Sequence, residues 1–227
     1  ISDVGDLDFS GKDVGPTKLK EVAAFFASPE SAAVRRLILS GNIITDHDED
    51  LSGLNAFCEV LPTLKHPISL DLSNCGLGVA EVNEVAAAIH AGAAIARLNL
   101  SGNLPCDRIS RDNDGQAPWL PGKDFSAWIP LCESFEQSKT LTEIDVSNCY
   151  LGPDALPPLA KATKVMAAVN SVTVDSSGNM RNQKTYTLTG GEDKIELSGK
   201  NLGPADINLI SAWLATDAGA ALNSIAL

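Results

Sequence analysis

Along this chain short stretches in which apolar and polar residues alternate recur, each followed by a small-residue turn. Counted from the first apolar residue they are LDFSGKDVG at 7, LILSGNIIT at 37, LDLSNCGLG at 70, LNLSGNLPC at 98, IDVSNCYLG at 144, VTVDSSGNM at 172 and IELSGKNLG at 195, with IAL at 225 starting another. Alternation over the first residues predicts a short strand with its leucines on one face. Between the strands lie helix-like stretches: 16–28, 51–64, 79–92, 124–135, 153–169 and 204–215. Several open with Pro after Gly, as in VGP and LGP, which suits the first helical turn, where the missing proline N–H costs nothing. Pro157 and Pro158 predict a late or irregular start for the fifth.

Successive starts are 30, 33, 28, 46, 28, 23 and 30 residues apart. A period near thirty with one strand and one helix per unit marks a repeat architecture, in which a single unit cannot bury its apolar face alone. The motif L-x-L-x-x-(N/C)-x-L and this spacing together resemble the leucine-rich repeat proteins, in their ribonuclease-inhibitor-like class, over almost all of 7–227. The resemblance implies an α/β solenoid, a horseshoe arc with parallel strands on the concave face and helices on the convex face. It also implies that Asn42, Cys75, Asn103 and Cys149 form a ladder inside the turns, satisfying backbone groups of neighbouring coils. Buried backbone groups need such partners. Lys12, Ser177 and Lys200 occupy the same slot and predict local departures.

Two interruptions break the period. The long gap after 98 holds LPCDRISRDNDGQAPWLPGKD, rich in Gly, Pro, Asn and Asp, and predicts a loop over 104–123 carrying Trp119. Trp119 either packs that loop down or meets a partner. Between 172 and 195 there is no helical pattern; alternation on both sides of GGED predicts an extra β-hairpin near 185–198. Residues 195–227 then align without a gap onto 7–39, a shift of 188. The expectation is a single solenoid over 1–227, with a first block 1–184 and a hairpin restart with second block 185–227. The start at Ile1 and the restart predict a fragment of a longer array of six-unit blocks.

Charge narrows the function. A formal charge of −12 and a pI near 4.6 argue against binding nucleic acid, which calls for a basic stripe. Nowhere do eighteen consecutive apolar residues occur, so no membrane span is expected. Five cysteines without a C-x-x-C pair argue against a disulfide framework and a zinc site, and favour a reducing, cytoplasmic location. No P-loop, GxSxG elbow or HExxH is present, so neither enzyme nor cofactor is expected. The acidic run 46–50 lacks the Gly and distal Glu of a calcium loop and reads as a solvated segment. The sequon Asn99-Leu100-Ser101 falls within a predicted strand, a poor place for glycosylation.

The residues between the leucines face outward: Asp8, Ile38, Asp71, Asn99, Asp145, Thr173 and Glu196, four of the seven acidic. The residues before them form a mixed column that includes Arg36, Arg97 and Glu143. These predict a non-catalytic scaffold that binds a protein, of basic character, on the concave strand face. Two alternatives stand beside it: a regulatory activator of a small GTPase, which the resemblance admits, and a structural element of a large assembly. Nothing in the pattern bears on oligomeric state.

Overall fold

The computed structural model describes residues 5–46, 49–109 and 120–227. In chain order the elements are β1 (Asp6–Asp8), α1 (Pro16–Phe26), β2 (Arg36–Ile38), α2 (Ser52–Val60), β3 (Ile68–Asp71), α3 (Val79–His90) and β4 (Ile95–Asn99). They continue with β5 (Arg108–Ile109), β6 (Leu120–Pro121), α4 (Trp128–Gln137), β7 (Glu143–Asp145), α5 (Leu156–Val165), β8 (Ser171–Asp175) and β9 (Thr185–Thr189). The last are β10 (Lys194–Glu196), α6 (Pro204–Leu214), α7 (Asp217–Ala220) and β11 (Ser224–Ala226).

The alternation that defines the motif also sorts burial. Leu37, Leu70, Leu98, Ile144 and Val172 are at most 2% exposed, as are Leu39, Leu72, Leu100, Val146 and Val174 two residues on, while the residue between each pair stays partly exposed. Each such side chain contributes about 1.5–3 kcal/mol on burial. They share one core with α1 to α6, whose helices pack neighbour to neighbour in sequence order. Turns after the strands need left-handed backbone. Gly11 and Asp13, Asn74 and Gly76, and Gly199 and Asn201 supply it with residue types that tolerate φ near +50° to +70°.

Strands β1, β2, β3, β4, β7 and β8 form a parallel ladder in that order. The long insertion does not interrupt it: Leu98 of β4 pairs with Ile144 of β7, while β5 and β6 pair antiparallel at the base of the inserted segment. Trp119 lies outside the described residues.

The hairpin expected near 185–198 does not form. β9 instead folds back antiparallel onto β8, in register from Ser171↔Thr189 to Asp175↔Thr185, and becomes the seventh strand of the main sheet. The reason is packing. Tyr186 and Leu188 lie opposite Val174 and Val172, so this pairing extends the buried face of the sheet. The segment 176–184 between them holds only a single 3-10 turn, Met180–Asn182. β10 then pairs in parallel with β11 as a separate two-stranded sheet, while α6 packs on α5 and keeps the helix layer continuous. Among the described residues no helix is long and apolar enough to cross a membrane.

Candidate functional site: the open face of the sheet

The ladder register sets the outward residues in two rows. One row runs Asp6, Arg36, Ser69, Arg97, Glu143, Ser171; the other runs Asp8, Ile38, Asp71, Asn99, Asp145, Thr173. Neighbours in the first row pair across strands: Arg97 Nη2 lies 3.0 Å from Glu143 Oε1, and Arg36 Nη1 lies 3.9 Å from Asp6 Oδ2. Exposed pairs of this kind contribute about 0–1 kcal/mol, so they orient these side chains more than they stabilise the fold.

The second row has a local duty that its acidity does not announce. Asp8, Asp71, Asn99 and Asp145 each accept, through Oδ1, the main-chain N–H of the serine two residues on: Ser10 (2.8 Å), Ser73 (3.0 Å), Ser101 (2.9 Å) and Ser147 (2.9 Å). Glu196 does the same for Ser198 at 3.1 Å. An Asp or Asn side chain accepting from the backbone two residues on makes an Asx-turn, which Glu196 imitates with one more methylene, and it closes the strand into the following bend. The Ser10 hydroxyl, then its N–H, hold the Asp8 carboxyl below its usual range. The Ser198 hydroxyl and Lys194 take Glu196 down to about 2.

A trough of about 540 Å³ lies on the middle of this face, and Asp71, Asn99, Asp145, Arg36, Arg97 and Glu143 all line it. Its lining carries Arg35, Arg36 and Arg97 against Asp71, Glu143 and Asp145, three charges of each sign. The expected acidic strip is therefore corrected in two respects. The trough is balanced in charge, with its arginines on the row before the leucines. Asp8 sits on the edge strand outside the trough, and Glu196 belongs to the second sheet, because β9 ends the first. Sequence reasoning passed over Arg35, which is held by the carbonyls of Ala32 (2.8 Å) and Val34 (3.0 Å) and thereby kept at the trough rim. Its position just ahead of the motif was the available signal.

Beneath the face, inside the turns, Asn42 donates to Phe9 O (2.9 Å) and Leu39 O (2.7 Å) and accepts from Val14 N (3.0 Å). Asn103 donates to Leu72 O and Leu100 O at 2.8 Å and accepts from Cys75 N (3.1 Å) and Leu77 N (3.0 Å). Cys75 and Cys149 each direct Sγ at a preceding coil's carbonyl, Leu39 O and Leu100 O, both at 3.2 Å. Burial pushes the Cys75 thiol up to about 11 and the Cys149 thiol up to about 12, which keeps each protonated as a donor. All five cysteines are buried and free. Among the described residues no cluster of His, Cys, Asp and Glu could hold a metal ion.

Where the main sheet ends, the bonding changes. In the ladder the turn amides of Gly11, Gly41, Asn74 and Gly102 donate to the main-chain carbonyls of Ser40, Ser73, Ser101 and Ser147. Asn148 N instead donates to the Asp175 carboxylate at 2.6 Å. Buried Asp206, on the first turn of α6, accepts from Ser177 N (2.8 Å), Ser177 Oγ (2.7 Å), Gly203 N (2.7 Å) and Tyr186 Oη (2.9 Å). Burial, with the Asp206 charge, raises the Tyr186 hydroxyl, so it stays a donor. Lys200 Nζ reaches Thr185 O at 3.0 Å. Gly178 approaches Asn201 O so closely that a Cβ there would overlap it.

No protein-family model matches this sequence, and no curated protein matches it. The fold has solved counterparts. The chain is similar to the C-terminal domain of tropomodulin from Caenorhabditis elegans. The TM-score is 0.54 at 11% sequence identity, over 87% of this chain and 92% of that one. At that identity the likeness carries the architecture alone: a leucine-rich-repeat-type α/β fold.

Proposed function

We propose that this chain is a non-catalytic scaffold that binds a protein partner through the open face of its sheet. The observation that carries the reading is the charge-balanced trough, whose arginines are oriented by cross-strand pairs and whose aspartates are oriented by Asx-turns. Preorganised charges on a rigid sheet select a complementary surface and steer its approach. The partner presents basic side chains to Asp71 and Asp145, and carbonyl or acidic groups to Arg36 and Arg97. The leucine-rich-repeat-type fold is compatible with a protein-binding role, and the reading takes the sheet as a ribonuclease-inhibitor-like arc with this face concave on the motif and period of the sequence. Solenoids of that kind use their extended curved surfaces for binding.

The test is cross-linking mass spectrometry on the native protein captured with its partner at low and moderate salt, beside the double variant Asp71→Lys, Asp145→Lys. Cross-links mapping to the trough, lost in the variant and weakened by salt, are the expected result. Cross-links confined to the helices or the chain ends overturn it.

A further inference from the structure

Two coils of this chain share one register and sit in opposite surroundings. The shift of 188 that aligns 7–39 with 195–227 also relates their elements: β1 and β10, α1 and α6, β2 and β11 have bounds that differ by that number at both ends. Among the described residues each coil has a neighbouring coil on one side only, and burial shows which side is open. In the last coil Leu197, Asp206, Leu209, Ile210 and Trp213 are at most 3% exposed on the side facing α5 and β9. Their counterparts in the first coil are Phe9, Lys18, Glu21, Val22 and Phe25. Of these Lys18 and Glu21 are exposed and Phe9 and Phe25 half-buried, and all five line an apolar cavity of about 370 Å³ with Lys12 and Val14. On the opposite side the pattern inverts: Leu19, Ala23 and Phe26 are buried beneath the second coil, while Ile207, Ser211 and Leu214 are exposed or half-buried.

The cavity on the first coil is thus the uncovered copy of a junction that the same molecule shows covered. The cover is a helix, α5, and a strand folded back antiparallel, β9. The polar contacts of the covered copy specify what the uncovered one needs. Lys200, which corresponds to Lys12, donates to the strand-end carbonyl of Thr185. Asp206, which corresponds to Lys18, accepts from Tyr186 and Ser177. Lys18 Nζ now donates to the Lys12 carbonyl at 3.2 Å in an exposed setting; with lysine in place of aspartate the polarity reverses, so a group that comes to face Lys18 is an acceptor.

We propose that the outer face of the first coil is a docking surface for the end of another leucine-rich block, one that closes with a helix and an antiparallel strand as the first block here does. The strand end gives a main-chain carbonyl to Lys12, a carboxylate stands opposite Lys18, and apolar side chains fill the cavity between Phe9, Val22 and Phe25. This surface is separate from the trough on the sheet, and the proposal stands without it.

The experiment uses the full chain with a second copy of residues 124–188 joined directly ahead of Ile1, since the register places residue 188 one step before residue 1. Amide hydrogen exchange across 18–26 is compared with that of the parent chain. The expected result is at least tenfold slower exchange, slower again when the added copy carries Tyr186→Glu, and a return to the parent rate with Phe25→Asp in the receiving coil. Exchange at the parent rate overturns the proposal whether or not the added copy is folded, because the face is required to order it. A Tyr186→Glu copy that protects less than the unaltered copy overturns the assignment of a carboxylate opposite Lys18. The swap Lys18→Asp with unaltered Tyr186 is expected to protect as well as the Lys18 and Glu pair, and weaker protection there counts against the assignment too.

Discussion

The ladder from β1 to β8 and the junction between β9 and the last coil meet the same demand by different chemistry. In the ladder each coil repeats its neighbour's path, so a turn amide finds the next coil's carbonyl, and one compact neutral side chain, Asn or Cys, satisfies what is left. At the junction the strand direction reverses and the next coil begins a new sheet. The carbonyls are no longer presented in step, and carboxylates take their place: Asp175 for Asn148 N, and Asp206 for a cluster of four donors. A buried carboxylate is tolerated when several N–H and O–H groups converge on it, because those bonds replace its lost hydration. Charge is not confined to the break, since in the ladder buried Glu81, at the same place in α3 that Asp206 holds in α6, accepts from Gly78 N at 3.0 Å; what the break adds is the gathering of Ser177 and Tyr186 donors onto one carboxylate.

The largest effect should come from Asp206→Ala. It strands the donors of Ser177, Gly203 and Tyr186 in a buried site and should cost about 3–5 kcal/mol in urea unfolding. Hydrogen exchange should then show 194–226 opening ahead of the ladder. A loss below about 1 kcal/mol would remove the distinction between the two regions.

Within the ladder, Asn103→Ala removes four bonds to main-chain groups and should cost about 3 kcal/mol. Cys75→Ala removes one weak S–H donor and a small volume, and should cost about 1 kcal/mol. Equal costs would mean that the two residue types do the same work in the slot. Tyr186→Phe takes one of four donors from Asp206 and should cost about 1 kcal/mol, with no effect on the ladder amides.

Thiol chemistry offers a kinetic check. With Cys58, Cys106 and Cys149 pushed up to about 12 by burial, their alkylation in native protein at pH 8 should run on the order of a thousandfold slower than in urea, and that of Cys75, pushed up to about 11, on the order of a hundredfold slower. Rapid native labelling of Cys75 or Cys149 would show that the ladder opens.

The smallest effect concerns Glu196. Its folded value, about 2, lies below its ordinary 4.5, so its contribution to stability is present above 4.5 and is lost as pH falls toward 2. Glu196→Gln should therefore flatten that part of the acid-unfolding profile slightly, and an unchanged profile would remove its turn from the account.

The repeat was legible in the residues because every coil must alternate L-x-L to bury one face, and each turn must offer Gly, Asn or Asp to left-handed backbone. The slot residues Asn42, Cys75, Asn103 and Cys149 were legible for the same reason: a position that recurs with one chemistry reports a recurring surrounding. The charges on the open face were legible as positions and misleading as chemistry. Asp71 and Asp145 double as Asx-turn acceptors, and cross-strand register balances the face with Arg35, Arg36 and Arg97.

By itself the sequence determined the coil, its period, the two interruptions and the restart at 195, since those are local or repeating patterns. Only the tertiary structure decided that β9 turns back on β8 instead of pairing across GGED. Alternation is the same for either partner, and the choice falls to whichever edge lets Tyr186 and Leu188 join the core. It also decided that Asp206 lies beneath that strand while its counterpart Lys18 stays in solvent. A residue's place in the repeat is written in the chain, but the neighbour that covers it comes from how the coils stack.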